Sequence, residues 1–223
     1  TSARPLSLSL PRSHCPHCQT PIRMRDLVPV LSWLFRRGRC AHCQGKISLR
    51  YPIVELLSAI LAVIAWQQAG TPMLAIAIYG FSMTLIVGGL IDWDSQWLPD
   101  RITLPLMWAG LFLASIGQNP LGLSLSHAVW GAMAGYLVFW SMAGIFRAAT
   151  GRDGLGGGDT KLLAALGAWL GGLVLPQLLL MSSLLGLGIA LWFRVREGKQ
   201  GEFPFGPALA ASGLILFWHP LPL

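Results

Sequence analysis

The chain has 223 residues, of which 54% are hydrophobic and only 11% are charged, and its formal net charge is +7. A soluble globular domain carries about 25% charged residues, so this composition excludes an ordinary soluble protein. Nine of the sixteen Lys and Arg residues lie in the first 50 residues, together with all four cysteines. We therefore predict a basic, cysteine-bearing lobe at residues 1–52 and an apolar membrane domain at residues 53–223.

The cysteines form two CxxC pairs, Cys15–Cys18 and Cys40–Cys43, which are separated by 21 residues. Two such pairs can present four thiolates to one tetrahedral ion. Disulfides would require an oxidising compartment, whereas the basic residues place this lobe in the reducing cytoplasm. A redox CxxC would open a helix in a βαβ unit, which this lobe lacks. The pattern predicts structural zinc with four ligands, Cys15, Cys18, Cys40 and Cys43.

An apolar run, Leu27–Phe35, lies between the two cysteine pairs. We expect this run to pack the cysteine lobe onto the surface of the lipid bilayer. The positive charge of the lobe could also indicate nucleic acid, but no recognised nucleic-acid-binding motif accompanies it. We therefore expect no nucleic-acid partner.

Seven apolar segments predict membrane helices, at residues 53–68, 73–91, 102–117, 126–146, 162–175, 177–193 and 206–218. A cytoplasmic lobe followed by seven crossings leaves four stretches on the cytoplasmic side, residues 1–52, 92–101, 147–161 and 194–205. These stretches contain every Lys and Arg of the sequence, as the positive-inside rule requires. A single helix kinked at Pro176 would place the later basic residues outside, so two crossings are favoured there.

The predicted fold is therefore an all-α polytopic membrane protein with about seven spans and a small N-terminal zinc lobe. Small residues let membrane helices approach closely. Five glycines within the spans are expected to serve this purpose, Gly131, Gly135, Gly144, Gly186 and Gly188.

Two of the nine acids stand in unusual places, Asp92 and Asp159. Asp92 ends a long apolar segment, where the helix dipole and burial both disfavour a negative charge. Asp159 lies in the glycine-rich run Gly154–Lys161 at the start of a helix, where the dipole and Lys161 favour the ionised form. Paired carboxylates in different environments suit acid–base hydrolysis of a peptide. Which of the two is ionised is a coupled property and stays open.

The remaining acids have simpler interpretations. Asp100 directly precedes an apolar segment, so it is expected to cap a helix. Asp94 is expected to lie in a loop, in contact with solvent. Glu55 is expected in the first turn of a helix, where its charge suits the dipole and can pair with Arg50.

The glycine-rich run resembles the GxGD loop of membrane aspartyl proteases. The whole chain resembles the bacterial type IV prepilin peptidase and N-methyltransferase family of type IV pili and type II secretion. The resemblance rests on an ordered set of motifs: the two CxxC pairs, Arg50-Tyr51-Pro52 with Glu55, Ile91-Asp92, Leu98-Pro99-Asp100, Gly156 to Lys161, and Pro204-Phe205-Gly206-Pro207. It implies that Asp92 and Asp159 are catalytic and that the four cysteines bind zinc.

The resemblance further implies the substrate and the setting. Members of this family remove a short basic leader from prepilins or pseudopilins, after a glycine, at the cytoplasmic face of the bacterial inner membrane. They then methylate the new N-terminal residue from S-adenosylmethionine. The sequence contains no nucleotide-binding fingerprint, so methylation rests on the resemblance. Family members usually have eight membrane helices, the first of which, before the cysteine lobe, is absent from this sequence.

Two alternatives compete with this interpretation. One is a peptidase without methylation, as in the archaeal preflagellin relatives, which generally lack a cysteine lobe. The other is an ion-transport protein, in which acids inside the membrane mark an ion path. The acids of this chain are predicted at one surface and not at mid-bilayer, which disfavours transport.

Overall fold

The computed structural model describes residues 13–151, 156–197 and 203–219. The chain divides into two compact units, the first ending at Gln67 and the second beginning at Gln68. In the first unit, isolated antiparallel bridges close the two cysteine turns, pairing His14 with Pro21 and Arg39 with Lys46.

The described residues form eight α-helices and two short 3₁₀ turns, and they contain no named strand. The helices are α1 (Leu31–Phe35), α2 (Arg50–Gln68), α3 (Pro72–Ser95), α4 (Asp100–Ser115), α5 (Leu125–Thr150), α6 (Gly157–Leu170), α7 (Leu175–Glu197) and α8 (Gly206–Trp218). Helices α2 to α8 correspond to the seven predicted apolar segments, so the all-α prediction is confirmed.

Four helical stretches among the described residues are long and apolar enough to cross a membrane. They are α2, α3, α5 and Gly172–Trp192, with mean hydropathies between 1.3 and 2.1. Helices α4, α6 and α8 have 16, 14 and 13 residues, fewer than the roughly 20 that span a bilayer. The protein is therefore a membrane protein by length and composition, and the number of seven crossings remains a prediction.

Local sequence explains where the long helices begin. Thr71 precedes α3 and its Oγ1 accepts a hydrogen bond from the backbone N–H of Leu74 at 3.3 Å. Ser124 caps α5 in the same way, accepting from the N–H of His127 at 3.5 Å. Such caps satisfy backbone donors that have no partner inside the helix.

Several helix boundaries differ from the predicted ones, and two of the differences matter for the site. Helix α3 continues to Ser95 rather than ending at residue 91, so Asp94 lies on its last turn and not in a loop. Helix α6 ends at Leu170, and Gly171 makes the turn with a φ of 84°. Pro176 is the second residue of α7, a place where its missing N–H leaves no hydrogen bond unmade. The predicted division of residues 162–193 into two helices is confirmed, but the first helix ends at Gly171 and not at Pro176.

Helix α6 lies at the centre of the second unit. Its residues 162–170 are all buried, and it packs against α4, α5 and α8. A helix that is apolar on every face is typical of a buried position. At its end, Nε1 of Trp169 donates to the carbonyl oxygen of Leu106 at 2.7 Å, and its ring centroid lies 4.7 Å from that of Phe81.

Glycine allows α5 and α6 to approach until their backbones touch. A Cβ added at Gly135 would lie 2.6 Å from the carbonyl oxygen of Leu163, and one added at Gly131 would meet the carbonyl of Gly167. Close packing at these two positions, and at Gly186 against the ring of Phe205, is therefore confirmed. The prediction of close packing is wrong for Gly144 and Gly188, since a Cβ added at either position would meet nothing within 4 Å.

We expect Gly131→Ala to destabilise the protein by about 1–3 kcal/mol, because the new methyl group would force two helix backbones apart. Gly144→Ala, on the same helix with open space beside it, is the matched control and should leave stability unchanged or slightly raised. Thermal unfolding in one detergent measures both. A Gly131→Ala variant that unfolds at the wild-type temperature would contradict the close contact.

Candidate active site

Asp92 is a buried carboxylate held between the ends of two helices. It lies in the last turn of α3 and is 5% exposed. Its Oδ2 accepts a hydrogen bond from the backbone N–H of Gly206, the first residue of α8, at 3.0 Å. The first N–H groups of a helix have no partner inside it, and its dipole favours a nearby negative charge. The start of α8 therefore offsets part of the unfavourable position of Asp92 at the end of α3.

This contact requires glycine at position 206. A Cβ added there would lie 2.6 Å from Oδ2 of Asp92, so any other residue would displace the carboxylate. The motif Pro204–Pro207 is part of the family resemblance, but its sequence does not assign a role to Gly206. The sequence signal for this contact is a glycine followed by Pro207, a residue that favours the first turn of a helix.

Asp159 is the third residue of α6 and is partly buried. Burial, and then the negative charge of Asp92, raise the pKa of the Asp159 carboxyl to about 7. The expectation that Lys161 favours the ionised form is wrong, because Nζ of Lys161 donates to both oxygens of Asp100, at 2.6 and 2.7 Å. Gly154 and Leu155, at the start of the glycine-rich run, lie outside the described residues.

Asp100 does not cap α4 as expected. Pro99 occupies the N-cap position, and Asp100 is the first helical residue. Its ion pair with Lys161 instead joins the beginnings of α4 and α6. The Lys161 side chain is about one-third exposed and that of Asp100 about one-half, and such pairs contribute about 0–1 kcal/mol to stability. The pair therefore contributes mainly to the geometry of the two helix starts.

The structure brings Asp92 and Asp159 into one cleft, although Asp159 lies 67 positions after Asp92 in the sequence. The cleft has a volume of about 760 Å³, within the range of sites that bind small molecules or short peptide segments. Its lining comprises Asp92, residues 96–101, residues 156–159 and Lys161. Asp94, two residues after Asp92 on α3, does not line the cleft.

A second close approach forms the wall of this cleft. Gly158 lies so near to Leu98 that an added Cβ would be 2.8 Å from the Cβ of Leu98 and 2.9 Å from its carbonyl oxygen. The neighbouring Gly157 has nothing within 4 Å of the same position. Of these two glycines, only Gly158 is needed for packing, and it precedes Asp159 directly.

In the first unit the four cysteines form one cluster. Their Sγ atoms all lie within 4.8 Å of one another, and those of Cys15 and Cys43 are 3.9 Å apart. Four sulfurs bound about 2.3 Å from a tetrahedral ion lie about 3.8 Å from one another. The cysteines are free thiols, so the structure does not support the disulfide alternative. The cluster could hold a metal ion if its more distant sulfurs moved closer by up to about 1 Å.

Glu55 has a partner that the sequence did not suggest. It lies in the second turn of α2, not the first, because the helix already begins at Arg50. Its Oε2 accepts a hydrogen bond from the backbone N–H of Val30 at 2.8 Å. Glu55 therefore connects the cysteine lobe to α2.

A helical membrane protein with two carboxylates in one cleft has the groups that acid–base hydrolysis of a peptide requires. Comparison with known families is more specific. Residues 2–69 match the bacterial peptidase A24 N-terminal domain, and residues 78–191 match the type IV leader peptidase family. The chain belongs to the type IV leader peptidase family, which confirms the resemblance seen in the sequence and makes the protein an enzyme.

Individual relatives agree with this membership. The chain is 48% identical to a prepilin leader peptidase/N-methyltransferase of Aeromonas hydrophila, over 96% of this chain and 74% of the relative. It is 45% identical to the protein of that name from Neisseria gonorrhoeae, over 96% of this chain and 73% of the relative. It is also 45% identical to a type 4 prepilin-like proteins leader peptide-processing enzyme of Escherichia coli O78:H11, over 94% and 76%. No solved structure matches the chain.

We expect Gly158→Ala to slow leader cleavage by roughly 10- to 100-fold, since a displacement of about 1 Å at a reacting group has effects of that size. The new methyl group would push the start of α6, and Asp159 with it, away from Leu98. Gly157→Ala is the matched control and should retain near wild-type cleavage. Equal rates for the two variants, at equal protein levels in the membrane, would contradict this role of Gly158.

Proposed function

We propose that this protein cleaves the basic leader of type IV prepilins or pseudopilins after a glycine, with Asp92 and Asp159 as the catalytic pair. The observation that carries the proposal is the shared cleft, in which both carboxylates face the same space. Membership of the leader peptidase family and the names of the relatives supply the substrate class.

The geometry suits hydrolysis by acid–base catalysis. One carboxylate takes a proton from a water molecule as the water oxygen bonds to the carbonyl carbon of the scissile peptide. The other carboxyl donates its proton to the carbonyl oxygen, and the leaving amine is protonated when the C–N bond breaks. Burial and the charge of Asp92 raise the pKa of Asp159, so its protonated form is closer in free energy to the ionised form at neutral pH than in an ordinary aspartate. The assignment of acid and base belongs to the pair as a whole.

Several residues near the two aspartates have a role in this proposal. The N–H of Gly206 orients Asp92 through Oδ2. Gly156 and Gly157 carry no side chain at the mouth of the cleft, which allows the extended backbone of a substrate to approach. Lys161 lines the same cleft but pairs with Asp100 and not with Asp159.

The cysteine cluster is proposed to hold structural zinc. Cys15, Cys18, Cys40 and Cys43 would supply four thiolates, which leave no open position for water or substrate. Zinc whose four positions are all taken by cysteines would contribute folding free energy and would take no part in the reaction. It would cross-link the two CxxC pairs of a lobe whose apolar side chains are largely exposed.

The orientation and the second activity are also proposals. All Lys and Arg residues fall in stretches predicted on one side, so the cleft is proposed to face the cytoplasm from the bacterial inner membrane. N-methylation from S-adenosylmethionine is supported by the names of the relatives. Residues 1–52 as zinc lobe and 53–223 as peptidase domain remain the proposed division.

Asp92→Asn and Asp159→Asn should each reduce cleavage by at least about 10³-fold, because each removes one half of a unit that moves protons. The assay incubates membranes containing the variant with a prepilin and follows the loss of the leader by size. Asp94→Asn, also on the last turn of α3 but outside the cleft, is the matched control and should cleave normally. Full processing by either of the first two variants would defeat the assignment.

The same incubation with methyl-labelled S-adenosylmethionine separates the two activities. We expect wild-type protein to label the shortened pilin. The Asp159→Asn variant should transfer labelled methyl groups to a pilin supplied without its leader, but not to the intact precursor. Cleavage without any label would establish the alternative of a peptidase that does not methylate.

Cys15→Ser and Cys40→Ser should each lose bound zinc, from about one ion per chain to well below one, since each removes one of four thiolates. Elemental analysis of the purified proteins measures this. His42→Asn, between the ligands of the second pair, is the control and should retain the metal. Unchanged zinc in both cysteine variants would rule out the four-thiolate site.

A further inference from the structure

The segment between the cysteine pairs, residues 23–39, exposes an apolar surface that the described residues leave uncovered. Phe35 is 85% exposed and Met24 is 72% exposed. Four further apolar side chains of the segment are exposed with them, Leu27, Val28, Leu31 and Leu34. Removal of such side chains from water is favourable, so a surface of this kind favours contact with a partner.

The charge of the segment indicates what that partner is. Residues 23–39 contain five arginines and one acid, Asp26, and the side chain of Asp26 pairs with Arg36. The side chains of Arg23, Arg37 and Arg39 are exposed. Exposed arginines beside large apolar side chains are complementary to the anionic headgroups and acyl boundary of a bilayer.

The position of the segment along α2 supports the same partner. Glu55 accepts the N–H of Val30, and it lies in the second turn of α2, a helix that is long and apolar enough to cross a membrane. The first turns of a spanning helix lie at the depth of the headgroups. The hydrogen bond therefore holds the segment at the interface between headgroups and acyl chains.

The backbone at Val30, which donates to Glu55, has an unfavourable conformation. Val30 has φ 59° and ψ −50°, and the N–H of Leu31 bonds to the carbonyl of Pro29 across it. This is a γ-turn with positive φ, which is strained for a β-branched residue. The turn directs the N–H of Val30 to Glu55 and begins α1.

We propose that residues 23–39 are a lipid-docking surface, whose apolar side chains enter an anionic bilayer at the headgroup boundary while its arginines bind lipid phosphates. Glu55 is its positioning residue. The surface holds the cysteine lobe against the membrane, independently of leader cleavage. A protein partner, either the substrate or a second copy of this chain, is the competing occupant that the experiment distinguishes.

The experiment places the photo-crosslinking residue p-benzoylphenylalanine at position 35, in the full chain reconstituted in phosphatidylglycerol–phosphatidylethanolamine vesicles. His42, exposed in the same lobe and not paired with the surface, is the matched control position. After irradiation, mass spectrometry identifies the crosslinked molecule. We expect phospholipid adducts at position 35 and several-fold fewer at position 42.

Two sets of variants test the charge and the positioning residue. Arg37→Gln and Arg39→Gln should each lower the lipid adduct at position 35 by about fivefold in anionic vesicles, and much less in phosphatidylcholine. Glu55→Ala should lower it in both kinds of vesicle, whereas Glu55→Gln, which keeps an acceptor oxygen, should preserve it. Zinc content in every variant confirms that the lobe is folded.

The result that overturns the proposal is equal lipid adduct at positions 35 and 42. Adducts at position 35 to a prepilin or to a second copy of the chain, in place of lipid, would overturn it equally. Lipid adducts that do not respond to Arg37→Gln or to the vesicle charge would exclude the role of the arginines.

Discussion

The buried carboxylate of Asp92 is the constraint on which the second unit depends. Burying a carboxylate in its charged form costs several kcal/mol, and a single hydrogen bond to a charged acceptor returns about 1.5–3 kcal/mol. The N–H of Gly206 therefore offsets only part of the cost of the charged form. Helices α3 and α8 also pack along one another from this contact. A residue with a side chain at position 206 would break the contact and the packing together.

Helix α6 carries the other carboxylate, and its own position is determined by contacts without side chains. The backbones of α5 and α6 touch at Gly131 and Gly167, and the start of α6 touches Leu98 at Gly158. These contacts hold a helix of only 14 residues at the centre of the unit. Asp159 can thus share a cleft with Asp92 while its charge is disfavoured by burial and by that neighbour.

Much of this could be predicted because it depends on chain-local patterns. Apolar runs indicated each of the helices α2 to α8, and two CxxC pairs indicated the four-sulfur cluster. The errors arose where a residue was interpreted through its neighbours in sequence. Lys161 was assigned to Asp159, two residues away, but it pairs with Asp100, which is 61 residues away. Gly144 was expected in a helix contact, although small size does not reveal which face of a helix is covered.

The amino-acid sequence by itself determined that this is a helical membrane protein with a basic four-cysteine lobe and two unusually placed aspartates. Hydropathy, charge distribution and motif spacing suffice for that, since each is a property of short stretches. Only the tertiary structure decided that the two aspartates share a cleft, that the first N–H of α8 holds Asp92, and that Glu55 holds the strained turn at Val30. These depend on contacts between residues far apart in sequence, which packing alone brings together.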